Sequence, residues 1–188
     1  MYLPIKTLAD NGTILTGALA GRHLFGKLVG HAPGPTEPEP AFLDFIDVEV
    51  ATSSFLRESV IAFRDYARST LPNLYPVVAN TAGSVEEELT FFLRHRSDAM
   101  WACDLNERGL PFNARLIGEL DEVQRATFDR VLDLGTASAP TLAAQSGRGD
   151  GIGPTAWNNR LSNLAARGLL IERRGGKTKT FTPVLETV

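Results

Sequence analysis

Pro154-Thr-Ala-Trp-Asn-Asn-Arg-Leu-Ser-Asn-Leu-Ala-Ala-Arg-Gly168, running on into Leu169-Leu-Ile-Glu-Arg-Arg-Gly-Gly-Lys-Thr-Lys-Thr-Phe-Thr-Pro-Val184, decides how this chain is read. In the first half Trp157, Leu161, Leu164 and Ala165 recur at steps of four, three and one, the spacing that lines up one face of a helix. Thr155, Asn158, Asn159, Arg160, Ser162 and Asn163 fall mostly on the other side. Short hydroxyl and amide groups and a guanidinium are the side chains that reach base edges and phosphates. Gly168 closes the helix. The second half has two β-prone arms around Gly175-Gly176, where glycine supplies the φ > 0 that a tight turn needs. Arg173, Arg174, Lys177 and Lys179 cluster at the tip of this hairpin.

Working outward, Asp121 to Gly135 predicts a helix with Val123, Phe128, Val131, Leu132 and Leu134 as its apolar stripe. Gly135 suits a left-handed C′ position. A short helix follows over Ala139–Gln145, with Ser138 as N-cap, Pro140 in the first turn, and Leu142 and Ala143 facing inward. Three short helices followed by a basic hairpin is the layout of a winged helix-turn-helix. The run from Thr155 to Arg174 resembles the recognition helix and wing of bacterial winged-helix transcription regulators: a polar helix, a Leu-x-x-Leu pair, then Gly-Leu-hydrophobic and a basic wing. The resemblance covers the last third of the chain. It implies contact with double-stranded DNA through Thr155, Asn158, Asn159, Arg160, Asn163, Arg173, Arg174, Lys177 and Lys179. Some winged helices bind only proteins, so a protein-interaction adaptor stays open beside the DNA reading. The bland alternative for the same residues is a solvated helix face and a charged hairpin.

Charge is spread unevenly. Residues 1–136 hold 12 Lys+Arg against 19 Asp+Glu, net −7, whereas residues 137–188 hold 7 against 3, net +4. A basic terminal module behind an acidic body suits a protein that offers one face to phosphate. The 188 residues suffice for one medium domain or two small ones. No apolar run is long enough to span a bilayer, and the first residues lack the basic flank and apolar core of a secretory signal, so the expected location is cytoplasmic. A single cysteine, Cys103, excludes an internal disulfide and a cysteine-rich zinc site.

Upstream, strands and helices alternate. Tyr2–Ala9 reads as a strand, with Pro4 pointing to a sheet edge. Asp10-Asn11-Gly12 reads as a turn, and Thr13–Val29 as a helix capped at Thr16. Gly30 to Pro40 is a proline-rich loop. Ala41–Val50 reads as a strand, Ala51 to Ser54 as turn and cap, and Phe55–Leu71 as a helix facing inward through Leu56, Val60, Phe63 and Ala67. Tyr75–Asn80 is a buried strand and Val85–Arg96 a helix whose acidic start and basic end match the helix dipole. Ala99–Asp104 and Phe112–Leu120 complete the strands. The expectation is an α/β domain with an open sheet over residues 1–118, and a second, α+β domain over 119–188. Gly21-Arg-His-Leu-Phe-Gly26-Lys27 matches the first seven positions of a phosphate-binding P-loop, but Leu28 stands where the magnesium-binding hydroxyl belongs, and a core helix is the better reading.

Leu43-Asp-Phe-Ile-Asp-Val-Glu-Val-Ala-Thr-Ser-Ser-Phe-Leu-Arg-Glu58 resembles STAS-like domains, in particular a prokaryotic STAS-like family of unknown function. That resemblance implies sensing, dimerisation or docking of a kinase-like or sigma-pathway partner. In anti-sigma-factor antagonists a phosphorylated serine lies in an Asp-Ser-Ser-Gly turn; by position Ser54 matches that serine, with Ser53 just before it. Thr52 stands for the Asp and Phe55 for the Gly. A plain helix N-cap is the alternative role for Ser53 and Ser54.

Catalytic chemistry has little support. His23, His31 and His95 show no metal-ligand spacing, Cys103 reads as a small buried hydrophobe, and no nucleophile–base pair stands out. The expected function is a DNA-binding transcription regulator without cofactor, metal or catalytic activity, working as a possible two-fold dimer. An adaptor of anti-sigma-antagonist type is the alternative.

Overall fold

The computed structural model describes residues 1–145, 152–176 and 178–186. They form two compact units, Met1–Glu119 and Leu120–Glu186. Lys177, one of the expected wing cations, lies outside the described residues.

The first unit is mixed α/β around a parallel-rich sheet. Its elements are β1 (Tyr2–Pro4), α1 (Ile5–Leu8), β2 (Ile14–Leu15), α2 (Ala18–His31), β3 (Glu39–Asp44) and β4 (Val50–Ala51). A continuous helical rod follows: α3 (Ser53–Leu56), a π-helical turn (Arg57–Ile61) and α4 (Ala62–Thr70). Then come β5 (Leu74–Ala79), α5 (Gly83–Arg94), β6 (Ala99–Leu105) and β7 (Pro111–Gly118). The sheet order is β1-β3-β5-β6-β7; the first four strands are parallel and β7 is antiparallel to β6. Because the parallel strands are laid down in one direction, right-handed crossovers carry the helices to the same face. The core reflects this: Leu24 and Leu28, Leu56, Val60 and Phe63, and Val85, Leu89 and Leu93 share one cluster with Leu43, Val78, Met100, Ala102 and Ile117.

Pro4 does mark an edge strand, since β1 is outermost. The strand expected over Tyr2–Ala9 stops at Pro4, because Ile5 and Leu8, three apart and both buried, make the next turn helical. The helix expected from Thr13 begins only at Ala18. Ile14 and Leu15 are drawn into parallel pairing with Val50 and Ala51, and Gly17 at φ 85° precedes the helix in place of a Thr16 cap. The strand expected through Val50 breaks after Asp44, whose Oδ1 accepts from the Ile46 N–H while Asp47 takes φ 60°. β3 also begins two residues early, inside the proline-rich stretch. The P-loop-like glycine has a packing reason. A Cβ on Gly21 would lie 2.6 Å from the Phe55 carbonyl oxygen, so α2 and α3 approach as closely as they do only with glycine there. Lys27 donates to the Leu8 carbonyl at 2.9 Å and to Asp10 at 2.7 Å, a tie from α2 back to the end of α1 and the turn after it.

The second unit contains α6 (Glu122–Leu134), α7 (Ala139–Gln145), α8 (Pro154–Ala166), β8 (Leu170–Gly175) and β9 (Thr178–Pro183). Asp121 caps α6 by accepting from the Gln124 N–H at 2.8 Å, and Ser138 accepts from the Thr141 N–H at the start of α7. Gly135 and Gly168 end their helices at φ 67° and 79°. Phe128, Val131, Leu142, Trp157, Leu161, Leu164, Leu170 and Phe181 are buried. Three members of the expected stripe of α6 are not: Val123 and Leu134 are exposed and Leu132 is half-buried, while Gln124 and Thr127 are buried, one turn before Phe128 and Val131. Ala137, in the link from α6 to α7, exchanges both backbone hydrogen bonds with Phe181 (2.9 and 2.8 Å), adding a third, one-residue rung beside the β8–β9 hairpin.

Candidate nucleic-acid interface

Helix α8 begins at Pro154, where the missing N–H costs nothing. Its inner face is the expected one, with Trp157, Leu161, Leu164 and Ala165 all buried. Thr155, Asn159 and Asn163 are exposed and Asn158 is half-buried. Among the described residues none of these four side chains makes a hydrogen bond, so the amides are open to an outside partner. Ser162 departs from the expected outward face: its hydroxyl oxygen is buried, with no hydrogen-bond partner among the described residues.

Arg160 is half-buried, with its guanidinium carbon 5.1 Å from the Trp157 ring centroid. Arg130 of α6 approaches the same ring at 5.1 Å. A guanidinium over an indole face gains cation–π attraction while its edge N–H groups remain able to donate. Arg130 was not among the expected site residues. Its sequence neighbourhood, Phe128-Asp-Arg-Val131, gives no sign that it would reach Trp157.

In the hairpin, Gly175 pairs with Thr178 and Gly176 holds φ 61°. Gly175 therefore belongs to the strand rather than to the turn. Arg174 and Lys179 are cross-strand partners, as are Glu172 and Phe181. Strand alternation places these four on one face, the face that buries Phe181. Arg173 falls on the opposite face, exposed and without an ion pair among the described residues. Among the described residues the hairpin cations thus divide between two faces of the ribbon.

Glu172 sits among the cations on its own face. Its Oε1 accepts from Lys179 Nζ at 2.8 Å and from Arg174 Nε at 3.3 Å. Burial alone pushes this carboxyl up, but the hydrogen bonds and charges of Lys179 and Arg174 outweigh burial and hold it below the usual carboxylate range. Lys179 also helps to line a groove of about 360 Å³ together with Ala139, Pro140, Pro154, Thr155, Asn158 and Thr178. Thr155, Asn158 and Lys179 are thereby brought together. Arg173 is placed apart from them by the strand alternation, and Lys177 is not described.

The candidate phosphorylation residues belong to the first unit. Neither Ser53 nor Ser54 is the N-cap: Thr52 holds that position, because its carbonyl accepts from the Leu56 N–H, and the two serines form the first turn of α3. Ser53 Oγ donates to Glu88 of α5, and Ser54 Oγ lies 3.3 Å from Thr52 Oγ1. Nearby, at the carboxyl end of the sheet, Asp44 accepts from Tyr2 OH at 2.5 Å and from Asn80 Nδ2 at 2.7 Å. Glu86 takes a two-pronged contact from Arg115 at 3.1 and 2.5 Å and a further bond from Thr81. Cys103 is fully buried, and burial first, then Asp104, pushes its thiol up to about 12. Among the described residues no three His, Cys, Asp or Glu side chains gather as metal ligands, and no helix is long and apolar enough to cross a membrane. No family model, curated protein or solved structure matches the chain.

Proposed function

We propose that the chain is a DNA-binding transcription regulator whose second unit is a winged helix-turn-helix and whose first unit is a STAS-like platform for sensing, partner docking or dimerisation. The single observation that supports this reading best is the outer side of α8, where Thr155, Asn158, Asn159 and Asn163 present hydrogen-bonding groups with no intramolecular use beside the groove shared with Lys179. In this reading α8 enters the major groove, its amides meet base edges, and Arg160, steadied on Trp157, reaches a phosphate or a guanine. The exposed Arg173 on one face of the ribbon and the Arg174–Lys179 pair on the other straddle the neighbouring backbone. Function is binding rather than turnover, in a cytoplasmic setting.

One observation keeps an adaptor as the second reading. Ile14 and Val50 are cross-strand neighbours and both exposed, with Ile46 and Leu19 also exposed in the same unit. Apolar side chains displayed in pairs favour a protein partner. Selection of genomic fragments by the purified full chain, followed by a salt titration on the enriched duplex, separates the two. A regulator retains a discrete sequence set, and log Kobs falls with log salt by roughly 0.9 per phosphate contact. Arg173→Ala then lowers affinity for every duplex alike. No retention of any fragment at low salt rejects DNA binding and leaves the adaptor.

A further inference from the structure

Glu172 is the one acidic side chain on a hairpin otherwise supplied with arginine and lysine, and it is not at the rim. It holds the Arg174 Nε and the Lys179 Nζ on a single carboxylate oxygen, at 3.3 and 2.8 Å. Its own side chain is only 25% exposed, and that of Lys179 30%, while that of Arg174 is 74% exposed. A guanidinium and an ammonium make to a carboxylate oxygen the same kind of charge-assisted hydrogen bond that they make to a phosphate oxygen. Lys179 at the same time borders the groove that Thr155 and Asn158 share, so releasing its ammonium leaves it beside the polar start of α8.

Resting on the DNA reading above, we propose that Glu172 is an internal stand-in for a DNA phosphate: it occupies the Arg174–Lys179 subsite in the free protein, and a backbone phosphate displaces it on binding. The exchange is one anion for another, so the subsite engages only where the duplex also gains contacts elsewhere, through the amides of α8 and through Arg173. Glu172 thereby lowers affinity for arbitrary duplex more than for the preferred sequence. Arg173, on the opposite face and free of any such partner among the described residues, supplies the contact that is always ready.

The test compares the full-length protein with Glu172→Gln and Glu172→Asp on a random-sequence 30-base-pair duplex across a salt series. The expected result for Glu172→Gln is tighter binding, on the order of tenfold near 0.1 M salt. Its log–log salt slope is expected to steepen by roughly 0.9 to 1.8, one or two additional phosphates. The shorter Glu172→Asp reaches one cation at a time and falls between, and it serves as the informative variant if Gln disturbs the hairpin. Adding Lys179→Gln to Glu172→Gln removes most of the gain. If both variants bind random duplex as the unaltered protein does, with the same slope, the stand-in role is overturned while DNA binding stands. If the unaltered protein and the variants all fail to bind any duplex, the DNA reading falls and this role with it.

Discussion

The carboxyl end of the first unit's sheet and the outer side of α8 are both rich in polar side chains, yet the two are built on opposite terms. At the sheet, Asp44 takes up Tyr2, Asn80 and the Ile46 N–H, Glu86 takes up Arg115 and Thr81, and Glu88 takes up Ser53. On α8, the Asn159 and Asn163 side chains make no hydrogen bond among the described residues. Polar groups that satisfy one another contribute to the fold and resist change. Polar groups left to solvent cost the fold nothing when removed and are free to be spent on a partner.

The contrast can be broken at several points. The largest effect is expected at Phe181, fully buried and bridged to Ala137: Phe181→Ala costs about 3–5 kcal/mol and uncouples the hairpin, read by chemical denaturation. Next is Asp44, 2% exposed, whose removal in Asp44→Ala strands the Asn80 amide and the Ile46 N–H, for a loss of about 2–3 kcal/mol. A loss under about 0.5 kcal/mol there contradicts the idea of a closed network.

Glu86 gives a pH signature. The Arg115 hydrogen bond, with burial opposing it and Thr81 adding to it, holds its folded pKa below the ordinary value. A depressed carboxyl stabilises the fold above its unfolded pKa, and that stabilisation is lost as pH falls through the folded value. Denaturation midpoints followed downward from neutral pH should therefore decline less steeply in Glu86→Gln than in the unaltered protein, and coincident curves reject the linkage. The smallest effect on stability is expected at Asn163: Asn163→Ala changes stability by less than about 0.5 kcal/mol. On an enriched duplex the same change costs about 1–3 kcal/mol at one base position if α8 reads the groove. A large stability loss makes Asn163 part of the fold instead.

Much of the α/β alternation was legible because apolar periodicity survives in Leu56, Val60, Phe63 and Ala67 and in the wholly buried β5. What escaped was set by contacts distant in sequence. Ile14–Leu15 reads as the start of a helix until Val50–Ala51 arrives beside it, and no local pattern announces that pairing. Ala137 likewise looks like link sequence until Phe181 claims its backbone. At the candidate site the outward amides followed from helical spacing alone. The split of Arg173 from Arg174, and the placing of Glu172 two residues before Arg174 on one face, follow from strand alternation, a periodicity the clustered charges obscured. Arg130 on Trp157 could come only from tertiary packing.

The two tryptophans give each unit its own optical reporter. Trp101 lies in β6 of the first unit, and Trp157 lies in the second beneath two guanidinium groups. Replacing either indole by phenylalanine leaves a single tryptophan, so with excitation too far to the red for the three tyrosines the melting of each half can be recorded separately. In the variant that keeps Trp157, a quench or spectral shift on titration with duplex would report directly on the helix proposed to meet it.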